Sequence, residues 1–163
     1  MTKVAILLGS DSDLPTLTPC IQTLQGLGIP FSVRVISAHR TPDVARAFAQ
    51  NARREGYGVL IAAAGKAAHL AGALAANTTL PVIGVPVKSS ALDGLDALLS
   101  TVQMPAGIPV AAVAIDGAQN AALLAAQMLA ITEGPLRERL DAMREDMAAK
   151  VREKDQKISA QYS

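Results

Sequence analysis

The sequence predicts an α/β domain in which helices cover both faces of a parallel, five-stranded sheet. Five apolar runs of strand length alternate with segments whose apolar residues recur at helical spacing. The first run, "KVAILLG" at residues 3–9, is continuously apolar, which is typical of a strand buried on both faces. Strands and helices that alternate in this way build a three-layer αβα sandwich.

The boundaries of these elements are marked by characteristic residues. Asp13 and Thr41 are suited to helix N-caps, Pro42 to the first helical position, and Gly28 and Gly56 to helix ends. We predict strands at residues 3–9, 31–37, 57–65, 80–87 and 108–116, and helices at residues 13–28, 41–56, 67–78, 90–103 and 118–132.

The expected strand order is 2-1-3-4-5, as in flavodoxin-like folds, whose ligand crevice lies at the carboxyl ends of strands one and three. Three loops would meet there. They are "GSDSD" at residues 9–13, "SAHRT" at 37–41, which follows a second buried strand, and "AAGKAAHL" at 63–70. The helices between the strands are rich in alanine, which permits burial nearly all round and therefore indicates an oligomer.

Composition narrows the class of protein. Half of the residues are hydrophobic and 18% are charged, which is typical of a globular chain. A net charge of +1 and the lack of Trp argue against a nucleic-acid partner. The single cysteine, Cys20, excludes an intrachain disulfide, and we interpret it as a buried structural thiol. The N-terminal apolar run is too short for a signal or membrane segment, so we expect a cytoplasmic protein without a membrane partner.

The end of the chain is different in character. We treat residues 1–163 as one domain, with an αβα core at 1–132 and a long, charged helical extension at 133–163. An apolar stripe on this extension either lies on the chain's own body or clamps a neighbouring subunit. We favour the second alternative, because the core looks complete without it. The stripe consists of Leu136, Leu140, Met143, Met147 and Val151.

The three loops contain side chains that are suited to a phosphorylated ligand. "GSDSD" is either an anion site at a helix N-terminus or a well-capped turn in which Asp13 is the cap. Arg40 can make bidentate hydrogen bonds to a phosphate. His39 and His69 can exchange protons near neutral pH, and their convergence on one crevice favours a catalytic role.

Common cofactor motifs do not fit. A dinucleotide-binding fingerprint requires G-x-G-x-x-G, but this chain reads "GSDSDL" at that point. A P-loop requires G-x-x-x-x-G-K-[ST], but around "GK" this chain has Leu60 in place of the first glycine and Ala67 in place of the Ser or Thr. The third strand lacks the terminal aspartate of a phospho-receiver domain, and the aromatic residues of a flavin site are missing. Neither histidine lies in a ligand cluster, so we expect no metal.

Five separated blocks resemble the class I 5-(carboxyamino)imidazole ribonucleotide mutases of de novo purine synthesis. They are "GSDSD", "SAHRTPD", "AAHLAG", "LPVIGVPVKSSALDGLDALLSTVQMPAGIPVA" and "NAALLAAQML", in the family's order over residues 3–131. The resemblance implies a flavodoxin-like fold and a homo-octamer. It also implies that a carboxylate moves from the exocyclic nitrogen of a ribonucleotide to ring carbon C4, without a metal, ATP or an organic cofactor.

The resemblance also implies a role for each loop. The serines and the aspartate of the first loop bind the phosphoribosyl group, and the arginine of the second loop binds the phosphate. His39 transfers the proton, and His69 lies near the carboxylate or carbon dioxide. The expected substrate-binding residues are Ser10, Ser12, Asp13, Ser37, Ala38, Arg40, Gly65, Lys66, Ala67 and Leu70.

Lys66 departs from the family pattern, which usually reads "AGGAAHL" and has glycine at this point. A related carboxylase class, which uses free carbon dioxide, has a basic residue nearby, but it usually reads "SAHKT" and lacks the histidine of "AAHL". Arg40 and His69 therefore favour the mutase. The alternatives are that carboxylase or an inactive ribotide-binding oligomer. If Lys66 reaches the site, it could hold the carboxylate or alter His69.

Overall fold

The computed structural model describes residues 2–162. These residues form a five-stranded sheet with helices on both faces. The predicted fold class is confirmed. The strands are β1 (Lys3–Leu8), β2 (Phe31–Val35), β3 (Tyr57–Gly65), β4 (Val82–Val87) and β5 (Ala111–Ala112). The helices are α1 (Leu14–Gly26), α2 (Pro42–Ala52), α3 (Leu70–Ala75), α4 (Leu95–Val102), α5 (Ala118–Ala130) and α6 (Gly134–Tyr162).

The five strands are parallel and lie in the predicted order β2-β1-β3-β4-β5. Their register aligns the carboxyl ends, since Leu8 pairs with both Val35 and Ala63, and Gly65 pairs with Val87. The loops that follow the first four strands therefore leave the sheet at one edge.

The sheet separates two apolar layers, because successive side chains of a strand point to opposite faces. Val4, Ile6 and Leu8 of β1 pack in the layer formed with α1, α5 and α6. Ala5 and Leu7 pack in the layer formed with α2 and α3. All five side chains are buried, as the continuously apolar run predicts.

The second strand differs from its prediction, which was of a buried strand. β2 is an edge strand, and the side chains of Val33 and Val35 are 37% and 55% exposed. The valines of this run lie at the margin of the sheet, where β2 pairs with β1 on one side only.

Three elements begin at least three residues later than predicted. β5 pairs only at Ala111–Ala112 with β4, since Pro109 at its start has no N–H to donate to a ladder. α3 begins only at Leu70 because the preceding loop turns back, and the His69 N–H donates to the Ala67 carbonyl at 2.9 Å. α4 begins at Leu95, after two residues with positive φ.

The predicted helix caps have the right positions but different hydrogen bonds. Asp13 and Thr41 are the N-cap residues of α1 and α2, yet neither side chain makes a capping hydrogen bond. Gly28 and Gly56 follow α1 and α2 with φ of 65° and 84°, the left-handed conformation that ends many helices. The side chain of Cys20 is buried, and this burial raises the pKa of its thiol to about 12, consistent with a structural role.

The C-terminal helix α6 has two different halves. Leu136 and Leu140 are buried in the layer with α1 and α5, and Met143 packs against that layer. The expectation that the core is complete without the tail is therefore wrong. Met147 and Val151, further along the same stripe, are 54% and 65% exposed. In the described range 2–162, no helix combines the length and the apolar character that crossing a membrane requires.

Candidate functional site

A cleft of about 550 Å³ opens at the carboxyl ends of the first four strands. All of the residues that the sequence analysis selected line this cleft, so the structure brings the three predicted loops together. They are Ser10, Ser12, Asp13, Ser37, Ala38, His39, Arg40, Gly65, Lys66, Ala67, His69 and Leu70.

The loop after β2 is braced by its two hydroxyl residues. The Ser37 N–H donates to Thr41 Oγ1 at 3.0 Å, and that hydroxyl donates to the Ser37 carbonyl at 3.0 Å. The Arg40 N–H donates to Ser37 Oγ at 3.1 Å. These bonds close the turn on itself, so the side chains of His39 and Arg40 project into the cleft from a fixed backbone.

The loop after β1 is a single 3-10 turn at Asp11–Asp13, capped by Ser10 rather than by Asp13. Ser10 Oγ accepts a hydrogen bond from the Ser12 N–H at 3.3 Å and lies 2.8 Å from Ser12 Oγ. The Asp13 carboxylate is thus not used as a cap, and it remains available at the wall of the cleft.

Burial raises the pKa of the Asp13 carboxyl above its ordinary value. A hydrogen bond from the Ser10 backbone opposes this change, whereas the nearby carboxylates of Asp11 and Asp116 add to it. An ionised carboxylate in such surroundings gains from hydrogen-bond donors, and the hydroxyls of a sugar are donors of this kind.

The two histidines of the chain are in direct contact. His39 Nε2 lies 2.7 Å from His69 Nδ1, and the rings meet edge to face at 79°. A hydrogen bond between two imidazole nitrogens requires a hydrogen on one of them and a free lone pair on the other. Since the histidines come from the loops after β2 and β3, which flank β1, they meet above the carboxyl end of β1. A proton can therefore pass between them inside the cleft.

Lys66 has a backbone conformation that lysine rarely adopts. Its φ is 55°, in the left-handed region where a Cβ costs about 1–2 kcal/mol and glycine costs nothing. This geometry gives a physical reason for a glycine at this point of the loop. The lysine side chain lines the cleft, and within residues 2–162 it belongs to none of the ion pairs.

The loop after β4 also contributes to the cleft, and its residues were not among those predicted from the sequence. Val87, Lys88 and Ser89 line the wall next to the loop after β3. The rule for flavodoxin-like sheets points to the ends of strands one and three, so "VPVKSS" was noted only as part of a matching block. The usable signal was the polar run that follows a buried strand at the same edge of the sheet.

Taken together, the fold and the cleft define a flavodoxin-like αβα protein with a site for a small anionic ligand. The site combines hydroxyls, a guanidinium and a coupled pair of histidines. The family model for AIR carboxylase matches residues 3–150. The chain therefore belongs to the AIR carboxylase family.

Curated relatives and solved structures agree with this assignment. The chain is 53% identical to the N5-carboxyaminoimidazole ribonucleotide mutase of Pyrococcus horikoshii over 95% of this chain and 88% of that protein. It is 56% identical to the mutase of the same name from Brucella melitensis over 93% of this chain and 94% of that protein. The crystal structure of Treponema denticola PurE superposes with a TM-score of 0.87 at 29% identity, covering 94% of this chain and 96% of that one.

Proposed function

We propose that this chain is an N5-carboxyaminoimidazole ribonucleotide mutase. It moves the carboxylate of its substrate from the exocyclic nitrogen to ring carbon C4 and forms 4-carboxy-5-aminoimidazole ribonucleotide. The observation that carries the proposal is the contact between His39 and His69, 2.7 Å apart in a cleft that also contains Arg40. The names of the relatives, at about half identity over nearly the whole chain, support it.

The phosphoribosyl end of the substrate binds at the loops after β1 and β2. Arg40 offers a planar, bidentate donor to the phosphate from a turn that Ser37 and Thr41 hold in place. Ser10 and Ser12 donate hydrogen bonds to the ribotide from the 3-10 turn, and Asp13 accepts hydrogen bonds from the ribose hydroxyls. This end fixes the position of the ring relative to the histidines.

The chemistry requires one proton to leave C4 and one to reach the exocyclic nitrogen. His39 donates a proton to that nitrogen as the N–C bond breaks and carbon dioxide is released in the cleft. C4 then attacks the carbon dioxide and forms the new C–C bond. The neutral His39 next removes the proton from C4, which returns the imidazole to its starting state. The rearrangement is balanced in atoms and electrons and needs no external reductant or oxidant.

The remaining cleft residues contain and orient the transferred group. Ala38, Gly65, Ala67 and Leu70 are small or apolar, and they form a wall against which carbon dioxide is held close to the ring. His69 lies beside the carbon dioxide and receives or supplies the proton through its contact with His39.

Lys66 contributes a positive charge to the end of the cleft formed by the loops after β3 and β4. We assign it to the carboxylate of the substrate, because its side chain lines the cleft three residues before His69. The charge attracts the anion, but the position is exposed, so this contribution is modest.

One labelling experiment separates the mutase from its alternatives. The substrate carries a ¹³C carboxylate and is incubated with the chain in unlabelled bicarbonate, without ATP and beside a protein-free control. The mutase yields product that keeps most of the label. A carboxylase that uses free carbon dioxide yields unlabelled product. It forms this product from aminoimidazole ribonucleotide, and only when the bicarbonate concentration is high. Binding without any product would identify an inactive ribotide-binding oligomer.

The functional form is a homo-oligomer, and the family resemblance points to an octamer. Two apolar surfaces support this part of the proposal. One is the face of α4 and its preceding turn, where Leu92, Leu95, Leu99 and Val102 are 47–58% exposed. The other is the exposed half of α6. Apolar surfaces of this kind mark protein–protein contacts, and sedimentation equilibrium measures the number of subunits.

We also place the protein in the cytoplasm. A ribonucleotide intermediate of biosynthesis is found there, and the free thiol of Cys20 suits a reducing compartment. Microscopy of the chain fused to a fluorescent protein tests the location.

A further inference from the structure

The hydroxyl of Ser89 is buried at the wall of the cleft without a hydrogen-bond partner among residues 2–162. Asp96 and Arg139 also have such an atom, but neither residue lines the cleft. A buried hydroxyl that lacks a partner is unfavourable, and such groups usually have a partner in the functional state of a protein.

The backbone around Ser89 is held firmly. The Lys88 N–H donates to Asp116 Oδ1 at 2.9 Å, and the Lys88 ammonium pairs with Asp93 at 3.3 Å. A Cβ on Gly94 would lie 3.2 Å from Lys88 Cα, so the turn packs tightly against this backbone. The side chain of Ser89 therefore has a fixed origin, and only its χ1 angle is free to change.

The position of Ser89 determines which part of a ligand it meets. β4 is two strands from β1 and three from β2, so Ser89 lies at the end of the cleft opposite Arg40. Because Gly65 pairs with Val87, the loops that contain Lys66 and Ser89 leave the sheet side by side. A substrate whose phosphate lies at Arg40 presents its ring and carboxylate to this end.

We propose that Ser89 is a substrate-binding residue that donates a hydrogen bond to the carboxylate undergoing transfer. This inference rests on the proposed function. The hydroxyl turns about χ1 from its buried position towards the ligand. No hydrogen bond holds the present rotamer, so the turn forms one bond and breaks none.

Ser89→Ala tests this inference through affinity and stability together. Affinities are measured by calorimetry in a His39→Asn background, so that the substrate is not consumed. We expect Ser89→Ala to weaken binding of the N5-carboxylated ribonucleotide by about tenfold to a hundredfold, as for a hydrogen bond to a charged group. Binding of uncarboxylated aminoimidazole ribonucleotide should change by less than about twofold, since it lacks the accepting group. The Tm should stay the same or rise, because the variant removes an unsatisfied buried group.

Ser90→Ala is the matched control. Ser90 is the exposed neighbour of Ser89 and does not line the cleft, so its variant should keep both affinities. Unchanged affinity in Ser89→Ala, or equal losses for both ribonucleotides, would overturn the assignment to the carboxylate. A fall in Tm in step with the loss of binding would show a structural role instead. Conversion of substrate by the wild-type chain is scored separately, so the proposed function and the role of Ser89 can fail independently.

Discussion

The two ends of the cleft are built differently. At the end formed by the loops after β1 and β2, the hydroxyls of Ser10, Ser37 and Thr41 all have hydrogen-bond partners within the loops. At the end formed by the loops after β3 and β4, Lys66 has a left-handed backbone without an ion-pair partner in the described range, and Ser89 has an unsatisfied hydroxyl. Under the proposed function, the first end is preorganised for the phosphoribosyl part of the substrate. The second end contains groups whose interactions the reacting part of the substrate would complete.

His39→Asn should have the largest effect, because His39 is the proposed proton-transfer group. Asparagine cannot take and return a proton, so we expect turnover to fall by about 10²–10⁴-fold while substrate binding is kept. The measurement is single-turnover product formation beside a binding titration. His69→Asn is the companion variant, and a smaller loss in it would identify His39 as the group that touches C4. Near-normal turnover in His39→Asn would remove the proton-transfer role.

Arg40→Ala should give the next largest effect and disturb only the preorganised end. Loss of a charge-assisted contact to the phosphate should weaken affinity by about tenfold to a hundredfold, equally for the carboxylated and uncarboxylated ribonucleotides. Arg40→Lys keeps the charge but loses the bidentate geometry, and it should recover part of the affinity. If removal of the phosphate from the ligand weakens binding as much in Arg40→Ala as in the wild type, Arg40 does not bind that phosphate.

Lys66→Gly should have two small effects at the other end of the cleft. The free energy of unfolding should rise, and the affinity for the carboxylated substrate should fall. Glycine relieves the left-handed strain but costs chain entropy, so the net gain in unfolding free energy is about 0.5 kcal/mol. Affinity for the carboxylated substrate should fall by up to about fivefold, as expected for an exposed ion pair. Lys66→Met removes only the charge, so it should show the loss of affinity without the gain in stability. Chemical denaturation and calorimetry measure both quantities, and unchanged affinity in both variants would exclude the contact.

Asp13→Asn should have the smallest effect, which is a change in the free energy of unfolding that depends on pH. The raised pKa of Asp13 in the folded chain means that the folded state retains this proton at pH values where the unfolded chain has lost it. Stability therefore falls as the pH rises through the window above the ordinary value of 3.8. Asparagine does not titrate, so the variant should be more stable than the wild type at pH 7, and the gain should disappear near pH 4. Urea denaturation at both pH values measures this, and an equal difference at the two would contradict it.

Much of the fold and cleft could be predicted because the informative residues lie where strands end. Buried parallel strands are recognisable from continuous apolar runs, and the polar residues directly after them fall at one edge of the sheet. The edge position of β2 could not be predicted, because Val33 and Val35 have the same residue type in the core as at a margin. The role of Leu136 and Leu140 was missed because a stripe on a helix does not show which surface it covers.

The features that set the two ends apart were the least accessible to sequence reasoning. The positive φ of Lys66 is a property of the backbone, and the residue type lysine does not predict it. A glycine at this position in related chains would be the sequence signal for it. The unsatisfied hydroxyl of Ser89 depends on how the loop after β4 packs against Gly94 and Asp116.

In the proposed oligomer, the exposed half of α6 would link the folding of this segment to protein concentration. Between Asp146 and Tyr162 the helix is supported by the ion pairs Lys150–Asp146 and Lys157–Glu153, each worth about 0.3–0.5 kcal/mol. Most helical stability in proteins comes from packing of an apolar face. In the proposed oligomer, the order of this segment would therefore depend on the subunit surface that covers Val151 and Ile158, which are 65% and 59% exposed in the single chain. If the proposed oligomer covers this surface, dilution below its dissociation constant would lower helix content and assembly together, by mass action. In the proposed oligomer, the helix content of the tail would therefore report the state of assembly.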